Sequence, residues 1–475
     1  MTTSQDLFTK DHKHIWHPYT QSKILPTEYL VKEAKGEYLF VENSQGKELK
    51  IIDGISSWWV NIHGHSNHYI QNKIIEQLQK HQQVIFAGGI SHETAIQLID
   101  KLLPMLPKAD ITCNAADTTI LDKAFFSDNG STSVEVALKM AVQYFHNNGQ
   151  TQKNKFIAFK DSYHGDTVGT MSVADRSVFN QAFRSMMFEV DLVDSPAGLS
   201  KESLARVTIP ENISREAFKE ISEDYILRQI EKLLRYAPDQ YAGVIIEPLV
   251  QGSAGMKFHR AQFLQKLRKL CKNNNLLLIA DEVFTGFGRT GADFACKNAT
   301  IVPDIICLSK ALTGGFLPMG LTITSQEIYS AFHDDSRLKT FFHGHSYTGN
   351  SLACAAALAS IELYQKENRL EDVRFINSKM KQYLIDSKLE SLEHIEEVRV
   401  MGAIAAIEFD IADTGYLSEL GPYLYQEFLK RQILLRPLGN VLYFLPPYTM
   451  TLAALDYTLQ SIVEVSSNLK IRVKA

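Results

Sequence analysis

The sequence predicts an α/β protein with a large, mainly parallel sheet and a smaller α+β part built from both chain ends. Two observations lead there. Through the middle of the chain, short apolar runs alternate with longer stretches of helical period; toward the ends, short strand-like runs stand near local turns and amphipathic helices.

In chain order, YLFVEN (38–43) and ELKIID (48–53) are strand-like runs separated by a Ser-Gln-Gly turn. The central strand candidates are 124–127, 156–160, 243–247, 276–281, 305–308 and 321–324. Most are short, apolar and rich in β-branched or aromatic residues, as strands covered on both faces should be. Helical patterns lie between them at 132–145, 225–234 and 261–274. The stretch 190–224 is polar, carries Pro196, Gly198 and Pro210, and reads as a loop or insertion. From about Leu370, two amphipathic helices flank short strands around 398–400, 404–409 and 441–444. The expected division is 1–55, packing with the small domain, then a large domain 56–369 and a small domain 370–475.

The composition bounds the function. A chain of 475 residues, 45% hydrophobic and 22% charged, is enzyme-sized and globular in balance. Its net charge of −5 gives no electrostatic reason to expect nucleic acid or an anionic membrane as partner. No apolar run reaches the length of a spanning helix, and the N-terminus has no signal-like apolar core, so a cytoplasmic protein is expected. Five scattered cysteines without a CxxC pair argue against a disulfide framework or a zinc knuckle. The histidines at 63, 65, 68, 343 and 345 have no ligand spacing and read as turn and packing residues, so no metal is expected.

Four local features carry chemistry. SDNGST (127–132) lies between a strand and a helix, with Thr132 and Glu135 at capping-box spacing. Free N–H groups there, with Gly130 allowing close approach and Ser131 adding a hydroxyl, suit an anion, although an ordinary helix cap reads the same way. LLLIADE (276–282) is an apolar strand ending in Asp281 and Glu282, where ligands of open α/β sheets gather. LSKALTGG (308–315) sets Lys310 just past another strand, where apolar company would lower its pKa. DSYHGDT (161–167) places Tyr163 beside a His-Gly turn, able to stack on a planar ligand or simply to pack. Separately these are weak. Together they supply a lysine, an acid for a ring nitrogen, a phosphate cradle and an aromatic platform, the needs of pyridoxal 5'-phosphate.

With those residues in view, the chain resembles the class III pyridoxal-phosphate aminotransferases over almost its whole length. DEVFTGFGRTG (281–291), CLSKALTGG (307–315) and HGHSYTGN (343–350) are similar to that family's signatures. IWHPYTQ (15–21), DGISSWWVNIHGH (53–65), YHGDTVGTMSV (163–173) and RPLGNVLYFLPPY (436–448) resemble its biotin-synthesis branch. The resemblance implies a fold-type I subunit, a homodimer with shared sites, and 8-amino-7-oxononanoate with S-adenosylmethionine as substrates. It implies Lys310 as the cofactor-bearing lysine, Asp281 as the pyridinium partner, Gly130 and Ser131 as the phosphate turn, and Tyr163 as the stacking aromatic. Tyr347 and Thr348 match a phosphate contact supplied by the neighbouring subunit.

For substrates it implies Tyr19, Trp58, Trp59, Tyr163, Ser346 and Tyr443 as lining, with Arg436 pairing a carboxylate. Asp166 and Arg289 stand in matching motifs with roles that can be purely structural. The loop 343–350 is also similar to the form in the branch that uses lysine as donor, whereas Tyr19, Trp58 and Trp59 favour adenosylmethionine. Two further readings are an aminotransferase for ω-amino acids such as ornithine or 4-aminobutyrate, and a non-catalytic nucleotide- or phosphate-binding protein on the same α/β scaffold. The first is disfavoured by the HPYT and paired-tryptophan segments, the second by the joint presence of Lys310, Asp281, Gly130 and Ser131.

Overall fold

A computed structural model of the protein describes residues 3–108, 119–210, 213–412 and 414–469. The chain divides into two compact units, Tyr69–Asn377 with Arg399–Ala406, and Met1–His68 with Ser378–Val398 and Ile407–Ala475.

The larger unit is built on a seven-stranded sheet. Its strands are β1 (Leu121–Ser127), β2 (Lys155–Phe159), β3 (Asp191–Val193), β4 (Tyr241–Ile246), β5 (Leu277–Asp281), β6 (Ile305–Leu308) and β7 (Gly320–Ser325), in spatial order β1-β7-β6-β5-β4-β2-β3. β7 is antiparallel to both neighbours and every other pairing is parallel. β4, β5, β6 and β7 are buried along their whole length, which explains the apolar runs of the first three. Helix α1 (Gly130–Asn147) lies on this sheet, burying Val134, Ala137, Leu138, Ala141 and Phe145 in one cluster with Phe156, Ala158, Ile245, Ile279 and Ile305. Each large apolar side chain so buried contributes about 1.5–3 kcal/mol.

All six central strand candidates form strands. The polar stretch 190–224 differs from the expected loop, because it holds β3 and the first half of helix Arg215–Tyr236. Hydrophobic periodicity is blind there: Ser222 and Glu223 are buried on that helix, and Glu223 holds Arg260 through bonds of 2.7 and 2.6 Å. Polar pairing replaces the apolar stripe.

The α1 cap also differs. Asn129, not Thr132, is the capping residue; its side chain accepts the Thr132 N–H at 2.9 Å, and the Thr132 hydroxyl accepts the Asn129 N–H at 3.2 Å. Glu135 instead accepts the N–H of Gly169 at 2.7 Å, tying α1 to the turn after Tyr163.

In the smaller unit, strands Tyr29–Lys35, Tyr38–Asn43 and Glu48–Asp53 form an antiparallel meander, and Ile433–Leu434 adds a parallel edge to the third. The expected strands at 398–400, 404–409 and 441–444 are present as Ile395–Met401, Ile404–Phe409 and Val441–Phe444. Among the described residues, no helix is long and apolar enough to cross a membrane.

Candidate active site

Within the larger unit, five segments following the carboxyl ends of β1, β2, β4, β5 and β6 carry the chemistry, as open α/β sheets favour. β5 ends on Asp281, which is buried. His164, in the turn after β2, donates from Nδ1 to Asp281 Oδ2 at 2.7 Å, and the Val283 N–H donates to Oδ1 at 3.1 Å. Among the described residues, His164 Nε2 is buried without a hydrogen-bond partner. The adjacent Glu282 serves the backbone instead, accepting the N–H groups of Ala295 and Cys296 and the Thr285 hydroxyl.

Just past β6, Lys310 opens a short 3-10 turn with φ of 45°, an uncommon backbone for a long side chain. Burial lowers its pKa; the negative charges of Asp281 and Glu247 oppose that, and the Arg289 guanidinium reinforces it. A lysine so placed has a larger fraction of nucleophilic free amine than an exposed one.

Glu247 follows β4 and escaped the sequence reading. Its carboxylate accepts the Tyr163 N–H and the Gly252 N–H, each at 2.8 Å. Burial pushes its pKa up to about 7, with His164 lowering and Asp281 raising it. The signal was available: an acid directly after an apolar strand is the pattern that singled out Asp281. The partnership of His164 with Asp281 spans 117 residues and had no local signature.

At the start of α1, Gly130 and Ser131 occupy the first two helical positions, whose N–H groups have no acceptor within the helix. The Ser131 hydroxyl shares hydrogen bonds with those of Thr167 at 2.7 Å and Thr170 at 3.0 Å. Gly165 must be glycine: its φ is +128° and a Cβ would meet the Ser131 Cβ at 2.6 Å. Tyr163 is half-buried and meets Phe179 edge-on at 6.4 Å. Arg289 is buried, while Asp166 is exposed.

Ser346, Tyr347 and Thr348 lie on a loop of the same unit. The Thr348 hydroxyl accepts the His345 N–H at 3.0 Å, the Ser346 carbonyl accepts from the Gln83 amide at 3.0 Å, and Tyr347 is 65% exposed. Residues 83–87, Phe125, 343–346 and Thr348 border an open cavity of about 670 Å³.

The remaining expected residues come together in the smaller unit. The Arg436 guanidinium lies 4.4 Å from the Trp58 ring centroid, and Tyr19 meets that ring edge-on at 5.7 Å. Arg436 also donates to the Tyr416 hydroxyl at 3.2 Å. Trp59 is buried and donates from Nε1 to the Tyr443 hydroxyl at 3.1 Å; burial pushes that phenol up to about 12.

A buried lysine of lowered pKa, an Asp–His pair and free helix-start N–H groups, all at strand ends of one sheet, are the parts an aminotransferase site requires. The chain belongs to the class III aminotransferases: the family model "Aminotransferase class-III" matches residues 19–465. More narrowly, it is similar to the adenosylmethionine-8-amino-7-oxononanoate aminotransferase of Synechococcus elongatus, 44% identical over 446 residues, covering 93% of this chain and 95% of that one. The solved structure of the enzyme so named from Methanocaldococcus jannaschii aligns with a TM-score of 0.84 at 33% identity, covering 98% of this chain and 99% of that one. An amine transaminase from an uncultivated Pseudomonas species, solved in its PLP-bound form, aligns at 0.83 and 26%, covering 95% and 98%. The fold is therefore that of the fold-type I PLP-dependent transferases.

The residues present fit pyridoxal phosphate. Lys310 would supply the amine, Asp281 a buried carboxylate, and the α1 start free N–H groups for the phosphate; His164 Nε2, without a partner among the described residues, is a buried polar atom that a bound polar molecule can satisfy.

Proposed function

We propose that the protein transfers an amino group from S-adenosylmethionine to 8-amino-7-oxononanoate, giving 7,8-diaminononanoate. The observation that carries this reading is Lys310, a buried amine whose pKa burial lowers, beside the Asp281–His164 pair. The activity named for relatives up to 44% identical over nearly the full chain supports the substrate pair. When bound, pyridoxal phosphate supplies an electron sink for the pair left at the substrate Cα.

The chain's residues do the rest. Lys310 would hold the cofactor and, once displaced by the incoming amine, would move the proton from the substrate Cα as a general base. The Asp281 carboxylate would keep a proton on the ring nitrogen, and His164 holds that carboxylate in place. The N–H groups of Gly130 and Ser131 would bind the phosphate, and Tyr163, its backbone N–H held by Glu247, would stack on the ring.

Tyr347 and Thr348, on an exposed loop, serve the site of a second copy in a homodimer, with Ser346 beside the substrate. Trp58 and Tyr19 present an aromatic wall to adenine and to the aliphatic chain, and Trp59 with Tyr443 forms a second aromatic pair beside it in the chain. Arg436 forks the substrate carboxylate. The cysteines at 271, 296, 307 and 354 are free thiols, in keeping with a cytoplasmic enzyme.

The test is to follow the visible absorbance of the loaded protein with one donor at a time. S-adenosylmethionine alone should bleach it and 8-amino-7-oxononanoate restore it. A response to lysine instead would keep the product and change the donor. A response confined to ornithine or glutamate refutes the assignment. Turnover surviving in Lys310→Ala would remove that residue from its role.

A further inference from the structure

The four residues Ser56–Trp59 are coiled against their own steric preference. Ser56, Ser57 and Trp59 have φ of 52°, 64° and 69°, and none is glycine. Ser57, with ψ of −84°, lies close to the rare, strained form of the γ-turn. Such a backbone persists only where its surroundings over-determine it.

One carboxylate does most of this. Asp53 is fully buried. Its Oδ1 accepts the Ile55 N–H at 3.2 Å, and its Oδ2 accepts the Ser57 N–H at 2.6 Å. His65 Nε2 donates to Oδ2 at 2.8 Å. Ser56 adds a bond from its hydroxyl to the Leu445 carbonyl at 2.7 Å. The result sends successive tryptophans to different surroundings: Trp59 is 7% exposed against Tyr443, whereas Trp58 is 40% exposed beside Arg436 and Tyr19.

We infer that Asp53 is a positioning residue for substrate recognition, clamping the strained Ser56–Trp59 turn so that Trp58 presents its ring beside Arg436. Asp53 touches no substrate; it acts through the backbone of Ser57. The inference rests on the proposed reading of Trp58 and Arg436 as substrate contacts, and it adds what holds them in shape. The strain gives it a specific signature. Glycine adopts the Ser57 conformation without steric opposition, so a chain with glycine there needs the clamp less.

The experiment uses the loaded enzyme and compares Asp53→Asn, Ser57→Gly, the double variant and Trp58→Ala, with KM and kcat measured for each substrate. Asp53→Asn keeps the shape but leaves one acceptor where two were, and should raise KM about tenfold for the substrate that Trp58 contacts, with kcat changed less than about twofold. Adding Ser57→Gly should recover most of that loss. Should Asp53→Asn fail to fold, His65→Leu, which removes one donor of the clamp, should raise the same KM in the same direction, again relieved by Ser57→Gly.

A KM raised by Trp58→Ala but untouched by the clamp variants, or raised by them without relief from Ser57→Gly, overturns the inference. KM values unmoved by Trp58→Ala instead refute the underlying reading of Trp58, and the positioning role falls with it.

Discussion

Replacing Glu247 by glutamine should flatten the pH dependence of stability between about pH 5 and about pH 8. Burial raises this carboxyl from its ordinary 4.5 to about 7, with Asp281 raising and His164 and the Tyr163 and Gly252 N–H groups lowering it. A carboxyl raised above its unfolded value favours folding while it stays protonated. That stability is complete below the unfolded value and is lost as pH climbs from 4.5 through about 7. At about 1.4 kcal/mol per pH unit, the gap amounts to about 3 kcal/mol.

Glutamine is neutral throughout but offers one oxygen to two N–H donors 2.8 Å away, a loss of about 1–3 kcal/mol at every pH. The variant should therefore be the less stable protein near pH 5 and draw level near pH 8. Urea midpoints of the cofactor-stripped wild type and variant, measured across that range, give the comparison. Two parallel curves would refute the argument, because they would mean that Glu247 does not titrate there.

Three further outcomes follow from the geometry. Gly165→Ala forces a Cβ onto Ser131 and opens the hydroxyl cluster with Thr167 and Thr170, so cofactor affinity should fall at least about tenfold in an equilibrium titration. Glu223→Ala leaves Arg260 without its bidentate partner at 2.7 and 2.6 Å, which should cost about 3 kcal/mol in chemical denaturation. Arg436→Lys removes a planar fork that stacks on Trp58, and should raise KM for the carboxylate substrate about tenfold while kcat moves little.

Much of the fold could be read from the chain because its signals are local. The strands β4, β5 and β6 declare themselves as apolar runs, since strands buried on both faces need no alternation. Lys310 and Asp281 stood out by standing at or just past such runs, and Gly130 and Ser131 by lying between a strand and a helix. Helix Arg215–Tyr236 was half missed because its N-terminal part buries Ser222 and Glu223, and a charge satisfied by a distant arginine carries no hydrophobic period.

What needed three dimensions is the set of partnerships that make those residues a site. His164 meets Asp281 across 117 residues, and Glu247 reaches Tyr163 across 84. Asn129 takes the cap that Thr132 and Glu135 suggested by spacing, which leaves Glu135 to hold the Gly169 turn. The strain at Ser57 was invisible because serine has no preference for that backbone. Short-range propensity places elements, but burial removes water as the alternative partner of each polar group, so which groups pair is settled by packing.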